Sequence, residues 1–166
     1  MGLTDDALEA RVLAHLDELG GRYEIIRIDP DLADTAAFCA HYGYELDQSA
    51  NCIVVASRDA PPVVAARLNL ATTRLDVNHA VRRLLGVKRL SFAGADLTRE
   101  VTGMALGGVT PFGLPPTLRL YVDRRVIDAG RVIVGGGSRG LKLLVDTDAF
   151  ARMPACEVVD DLAKAP

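Results

Sequence analysis

The sequence lacks most of the groupings on which membrane, metal and nucleotide chemistry depend. No apolar run approaches the roughly 20 residues that span a bilayer. The acidic, amphipathic start MGLTDDALEA has neither the basic nor the apolar region of a signal peptide. A cytoplasmic location is therefore expected. Cysteine is scarce: Cys39, Cys52 and Cys156 are odd in number and show no CxxC or Cys/His spacing. That argues against a disulfide framework or a zinc site and for separate thiols packed as small hydrophobes. His15, His41 and His79 are scattered without an HExxH, so no metal site is expected. GxGxxG is missing from any strand-to-helix context, and GGGSRG lacks the lysine of a phosphate-binding P-loop. Lysine occurs only as Lys88, Lys142 and Lys164.

What is present is ordinary for a soluble globular chain. The 166 residues are 49% apolar and 25% charged, enough to bury one substantial core, so residues 1–166 are expected to form a single domain. The net charge is −3, with no overall pull toward nucleic acid. Its distribution is uneven: residues 1–48 carry 3 basic and 11 acidic side chains, residues 67–144 carry 13 basic and 5 acidic. A basic face built from Arg74, Arg82, Arg83, Lys88 and Arg89 is one reading, and charges spread around the surface are the other.

Periodicity gives a mixed pattern. Thr4 is placed to cap a helix in which Leu8, Val12, Leu16 and Leu19 recur at helical spacing until Gly20-Gly21 ends it. YEIIRI alternates like a strand, and Asp34 is placed to cap the short helix TAAFCAHY. ANCIVVAS, VVAARL, VKRLSFA, TLRLYVD, RVIVGG and LKLLVD read as strands. TTRLDVNHAVRRLLG, DLTREVTG and DTDAFARM read as helices, and CEVVDD as a strand or the start of a tail. Six or seven strands with four or five short helices, in no regular alternation, imply a mixed α+β fold rather than a doubly wound parallel sheet.

Two glycine-rich loops stand out. In GGVTPFG, glycine exposes main-chain N–H groups that no Cβ shields, and Pro111 stiffens the backbone. Donors around Gly107, Gly108, Val109 and Thr110 would then be set in place to polarise a carbonyl oxygen, although a plain structural turn has the same composition. Under the first reading Gly108→Val abolishes ligand binding with little effect on folding. The second loop, VGGGSRGLKLLVD, contains Gly135, Gly136, Gly137, Ser138 and Arg139.

LGGVTPFG, followed by GGGSRGLKL and DTDAF, resembles the YbaK/ProX/EbsC family of aminoacyl-tRNA deacylases, which includes relatives of the editing domain of bacterial prolyl-tRNA synthetases. The resemblance extends through TTRLDVNHAVRRLLGVKRLSFAGADLTREVTG and IDPDLADTAAFCAHYGYELDQSANCIVV, about residues 23–150. It implies a central barrel-like mixed sheet with short surrounding helices and a pocket beside a G-x-x-x-P loop, carried here by Gly107 and Pro111. It also implies hydrolysis of the ester between a wrongly attached small amino acid and the terminal ribose of tRNA, with no metal or organic cofactor. The implied partners are an aminoacyl-tRNA and, given the net charge, an aminoacyl-tRNA synthetase; no membrane or DNA partner is implied, and the oligomeric state is open. Thr35 and Phe38 match positions that help enclose the amino-acid pocket. Arg139 is placed either to bind phosphate or to tie its turn together.

Two positions depart from the family. Asn51 stands where active relatives carry a lysine, and Gly135 where some carry a serine. An amide brings hydrogen bonds but no charge, which leaves two alternatives open. One is a slow or rewired deacylase in which Asn51→Lys raises the rate; the other is a binding module of the same fold. Hydrolysis of another small ester or thioester is a third. Cys52 is read as a buried thiol rather than a nucleophile, since strand alternation turns it from the face of Asn51.

Overall fold

A computed structural model describes residues 2–73 and 77–164. Among the described residues eight strands fall into two sheets. The smaller is antiparallel, ordered β1 (Tyr23–Arg27), β7 (Leu141–Asp146), β6 (Arg131–Gly135). The larger is ordered β4 (Leu90–Phe92), β2 (Ala50–Ser57), β3 (Val64–Leu70), β5 (Leu120–Asp123), β8 (Cys156–Val159). Within it β2 pairs antiparallel with β3 and β4, while β3–β5 and β5–β8 are parallel, which makes the sheet mixed. A parallel bridge between Ser49 and Ile133 links the entry of β2 to β6 and joins the two sheets.

Helix α1 (Asp5–Glu18) forms as its pattern predicts: Thr4 Oγ1 accepts from the N–H of Ala7 at 3.2 Å, and Asp5 and Asp6 fill the first turn. Its buried side chains Leu8, Val12 and Leu16 pack on Leu68, Leu120 and Val122 of one sheet and on Val132, Val134, Leu141, Leu143 and Val145 of the other. The main core therefore lies between α1 and both sheets. A second cluster covers the opposite face of the small sheet, where Phe38 and Cys39 of α2 (Thr35–Tyr42) meet Ile133, Ile26 and Leu144. The short helices are a π turn Val77–Val81 running into α3 (Arg82–Leu85), α4 (Ala95–Thr102) and α5 (Arg124–Asp128). TAAFCAHY is helical, but Asp34 makes no side-chain cap bond there. DTDAFARM forms a 3-10 helix, Thr147–Arg152, and CEVV becomes a paired edge strand rather than a tail.

Candidate functional site

A cavity of about 330 Å³ opens where the two sheets meet. It is walled by the start of β2 (Asn51 to Val54), by Ile133 to Gly135 of β6, by Thr35 and Phe38 of α2, and by Leu106, Gly107 and Val109 of the first glycine loop. Its size suits a small-molecule group held between a few fixed polar donors.

The polar wall is ordered. Thr35 donates its hydroxyl to Asn51 Oδ1 at 2.6 Å, which fixes the amide and leaves Asn51 Nδ2 as a donor beside the cavity. In the glycine loop, Gly108 gives its N–H to the carbonyl of Ala105 at 2.9 Å. Among the described residues no acceptor takes the N–H groups of Gly107 or Val109, two residues that line the cavity. Gly107 has φ +89°, a left-handed conformation that glycine adopts without penalty, and an added Cβ would run into the guanidinium of Arg139.

The second glycine loop braces the first. Gly135 lies so close to the carbonyl of Val109 that an added Cβ would meet it. Gly137 donates to the carbonyl of Gly108 at 3.0 Å, and Gly136 to that of Leu141 at 2.9 Å. Ser138 donates to buried Glu9 at 2.6 Å, and Glu9 also accepts from Arg27 at 2.8 Å. Arg139 donates to the carbonyls of Leu106 at 2.8 Å and Pro30 at 3.2 Å, with Asp34 at 3.8 Å. Its guanidinium ties three loops together.

Of the residues singled out in the sequence, Asn51, Gly107, Val109, Thr35, Phe38 and Gly135 share this cavity. Gly108, Thr110, Gly136, Gly137, Ser138 and Arg139 stand behind it, and Thr110 is fully buried. Pro111 faces another groove, of about 420 Å³, beside His15 and Leu114. None of Arg82, Arg83, Lys88 and Arg89 contributes to the cavity wall, and Arg74 lies outside the described residues. Burial pushes the Cys52 thiol up to about 12, so it stays protonated at neutral pH and is a poor nucleophile. Among the described residues no three His, Cys, Asp or Glu side chains converge as metal ligands, and no helix is long and apolar enough to cross a membrane.

Sequence reasoning passed over Lys142. It emerges from β7 into the cavity and is 7% exposed, with Nζ 5.7 Å from the centre of the Phe38 ring. Burial, and secondarily the Arg139 charge, hold its pKa below the usual lysine range. The signal was available: in LKLLVD the lysine interrupts an apolar strand, between two leucines that the same alternation sends into the core.

The chain matches the model of the aminoacyl-tRNA editing domain over residues 29–153. Among solved structures it superposes on a candidate trans-editing enzyme for prolyl tRNA synthetase with a TM-score of 0.77 at 24% identity, covering 95% of this chain and 97% of that one. A hypothetical protein superposes with a TM-score of 0.79 at 25% identity, covering 90% and 97%. These superpositions establish the fold over nearly the whole of each chain.

Proposed function

The chain belongs to the aminoacyl-tRNA editing domain family and has its YbaK-like fold, and from that premise we propose that it is a deacylase acting on mischarged tRNA. The substrate is the ester between a wrongly attached amino acid and the terminal ribose. The observation that carries this is the pair of unclaimed N–H groups, Gly107 and Val109, on the wall of a cavity that also holds the Thr35–Asn51 pair.

An ester carbonyl seated against those amides gains donors where charge develops. As a water oxygen bonds to the carbonyl carbon, the carbonyl oxygen becomes an oxyanion, and preset amides stabilise it without reorganising. Collapse breaks the bond to the ribose oxygen, which takes the proton given up by water. The products are the free amino acid and tRNA with its ribose hydroxyl restored. Asn51 Nδ2 would hold a substrate acceptor in register, and the acyl side chain would point toward Thr35 and Phe38. The two glycine loops serve as one device, the second keeping the first in place.

Residues 1–166 would act as a single domain in the compartment of translation. With a net charge of −3, binding to tRNA would be modest unless a synthetase assists.

The test is a panel of mischarged tRNAs incubated with purified protein, with the loss of the aminoacyl bond followed over time. Hydrolysis of at least one member is expected, with tRNA affinity falling as salt rises. If tRNA binds but no ester is cleaved, the chain is a binding module; if neither occurs, the reading fails.

A further inference from the structure

Lys142 is the one basic side chain on the cavity wall among the described residues. Leu141, Leu143 and Val145 turn into the core under α1, so alternation directs Lys142 to the face covered by α2. Its partner on β6 is Gly135, which has no side chain to screen the ammonium, and its partner on β1 is the apolar Ile26. Among the described residues no hydrogen bond or ion pair reaches Nζ. The charged groups nearest it are Asp34, which favours the charged form, and Arg139, which opposes it, with the Cys39 thiol also bordering. Asp34 is no dedicated counter-ion: its side chain is 80% exposed and stands 3.8 Å from Arg139. The Phe38 ring replaces only part of the hydration that a buried ammonium gives up.

We propose that Lys142 selects the acyl group in the cavity. Its ammonium binds an anionic oxygen, so the site takes an aminoacyl group with a carboxylate side chain in preference to an uncharged one of the same size. This rests on the proposed function for the placement of the ester: with the ester on Gly107 and Val109, the acyl side chain extends toward Thr35, Phe38 and Lys142. A carboxylate gives the ammonium charge-assisted hydrogen bonds. An amide or methyl group leaves it buried and poorly satisfied, and sites with a polar group awaiting a partner discriminate strongly on that account.

The probes are non-hydrolysable aminoacylamino-deoxyadenosines with aspartyl, asparaginyl and alanyl groups, in which an amide replaces the ester. They are titrated calorimetrically into wild type and Lys142→Met, and by NMR into wild type labelled with nitrogen-15 at lysine, where only three lysines contribute signals. The aspartyl compound should bind about tenfold or more tightly than the asparaginyl one and shift the Lys142 resonance; the preference should vanish in Lys142→Met. Equal wild-type affinities for those two, or a preference that survives in Lys142→Met, overturns the proposal. So does equal weakening of all three compounds by Lys142→Met, which would assign the ammonium to the shared linkage. If Lys142→Met does not fold, the wild-type affinity ratio and the Lys142 resonance decide. Binding of none of the three sinks the deacylase reading as well, whereas binding without the preference leaves that reading intact.

Discussion

Asn51 and Lys142 share a cavity, and this changes what a charge introduced at position 51 would do. Judged from the sequence, Asn51→Lys restores a missing cation and raises the rate. In the structure it adds a second ammonium to a cavity of about 330 Å³ and removes the acceptor that holds Thr35. Two unit charges 4 Å apart repel by about 4 kcal/mol at an effective dielectric of 20, enough to leave one lysine neutral or to push a side chain out of the cavity. Asn51→Lys should therefore show no gain in single-turnover deacylation and a lower melting temperature. Asn51→Ala, which deletes a donor without adding charge, should lower kcat/KM by about a hundredfold if the amide touches the reacting group. A rate increase of about tenfold in Asn51→Lys would show instead that the cavity lacks a cation where the chemistry needs one.

At the scale of elements, the two glycine loops act as a bonded pair, and the cost of disturbing them can be separated from ordinary glycine replacement. At Gly135 an added Cβ meets the Val109 carbonyl, which is backbone and cannot swing aside. Gly135→Ala should cost about 1–3 kcal/mol in denaturant unfolding, the usual range for overpacking, and should abolish deacylation by displacing Val109. Gly20 is the control: its φ is +64° with nothing within 4 Å of an added Cβ, so Gly20→Ala should cost about 1–2 kcal/mol and leave the rate unchanged. Gly108→Val is a poor probe of binding alone, because its Cβ would come 2.8 Å from the backbone of Ser138 and disturb both loops. Much of this level was legible in the sequence. Apolar alternation marked most strands, and Thr4 with Gly20 bounded α1. Helix α5 was missed because Asp123 ends β5 and caps α5 at once, its carboxylate accepting from the N–H of Arg125 at 2.9 Å, and five residues are too few to reveal a helical period. Pairing was not legible either. Nothing local says that Tyr23 faces Val145, and without that register Lys142 cannot be placed opposite Gly135 or in the cavity of Asn51.

For the molecule as a whole, α1 is fastened to distant parts of the chain by a few side chains, and one of them is a histidine. Arg11 donates to the carbonyl of Thr102 at 2.6 Å, Glu9 accepts from Ser138, and His15 Nδ1 accepts from the N–H of Gly113 at 2.8 Å. Burial lowers the His15 pKa from 6.5, with Glu18 partly opposing. As pH falls past about 6.5 the unfolded chain takes up a proton at His15 before the folded chain does. Stability is therefore fully present above that pH and declines as pH falls toward the lower folded value, below which this contribution is flat. Protonation at Nδ1 also removes the acceptor of the Gly113 bond, which couples the loss to the attachment of α1. Because His15 keeps some contact with solvent, the loss should stay under about 1 kcal/mol. Urea midpoints measured at intervals from pH 7.5 down to 5 should fall in the wild type. In His15→Gln, whose side-chain oxygen can accept from Gly113 but does not titrate, the fall should be visibly shallower. Equal slopes in the two proteins would mean that the acid sensitivity of the fold lies elsewhere and that protonation of His15 does not loosen α1.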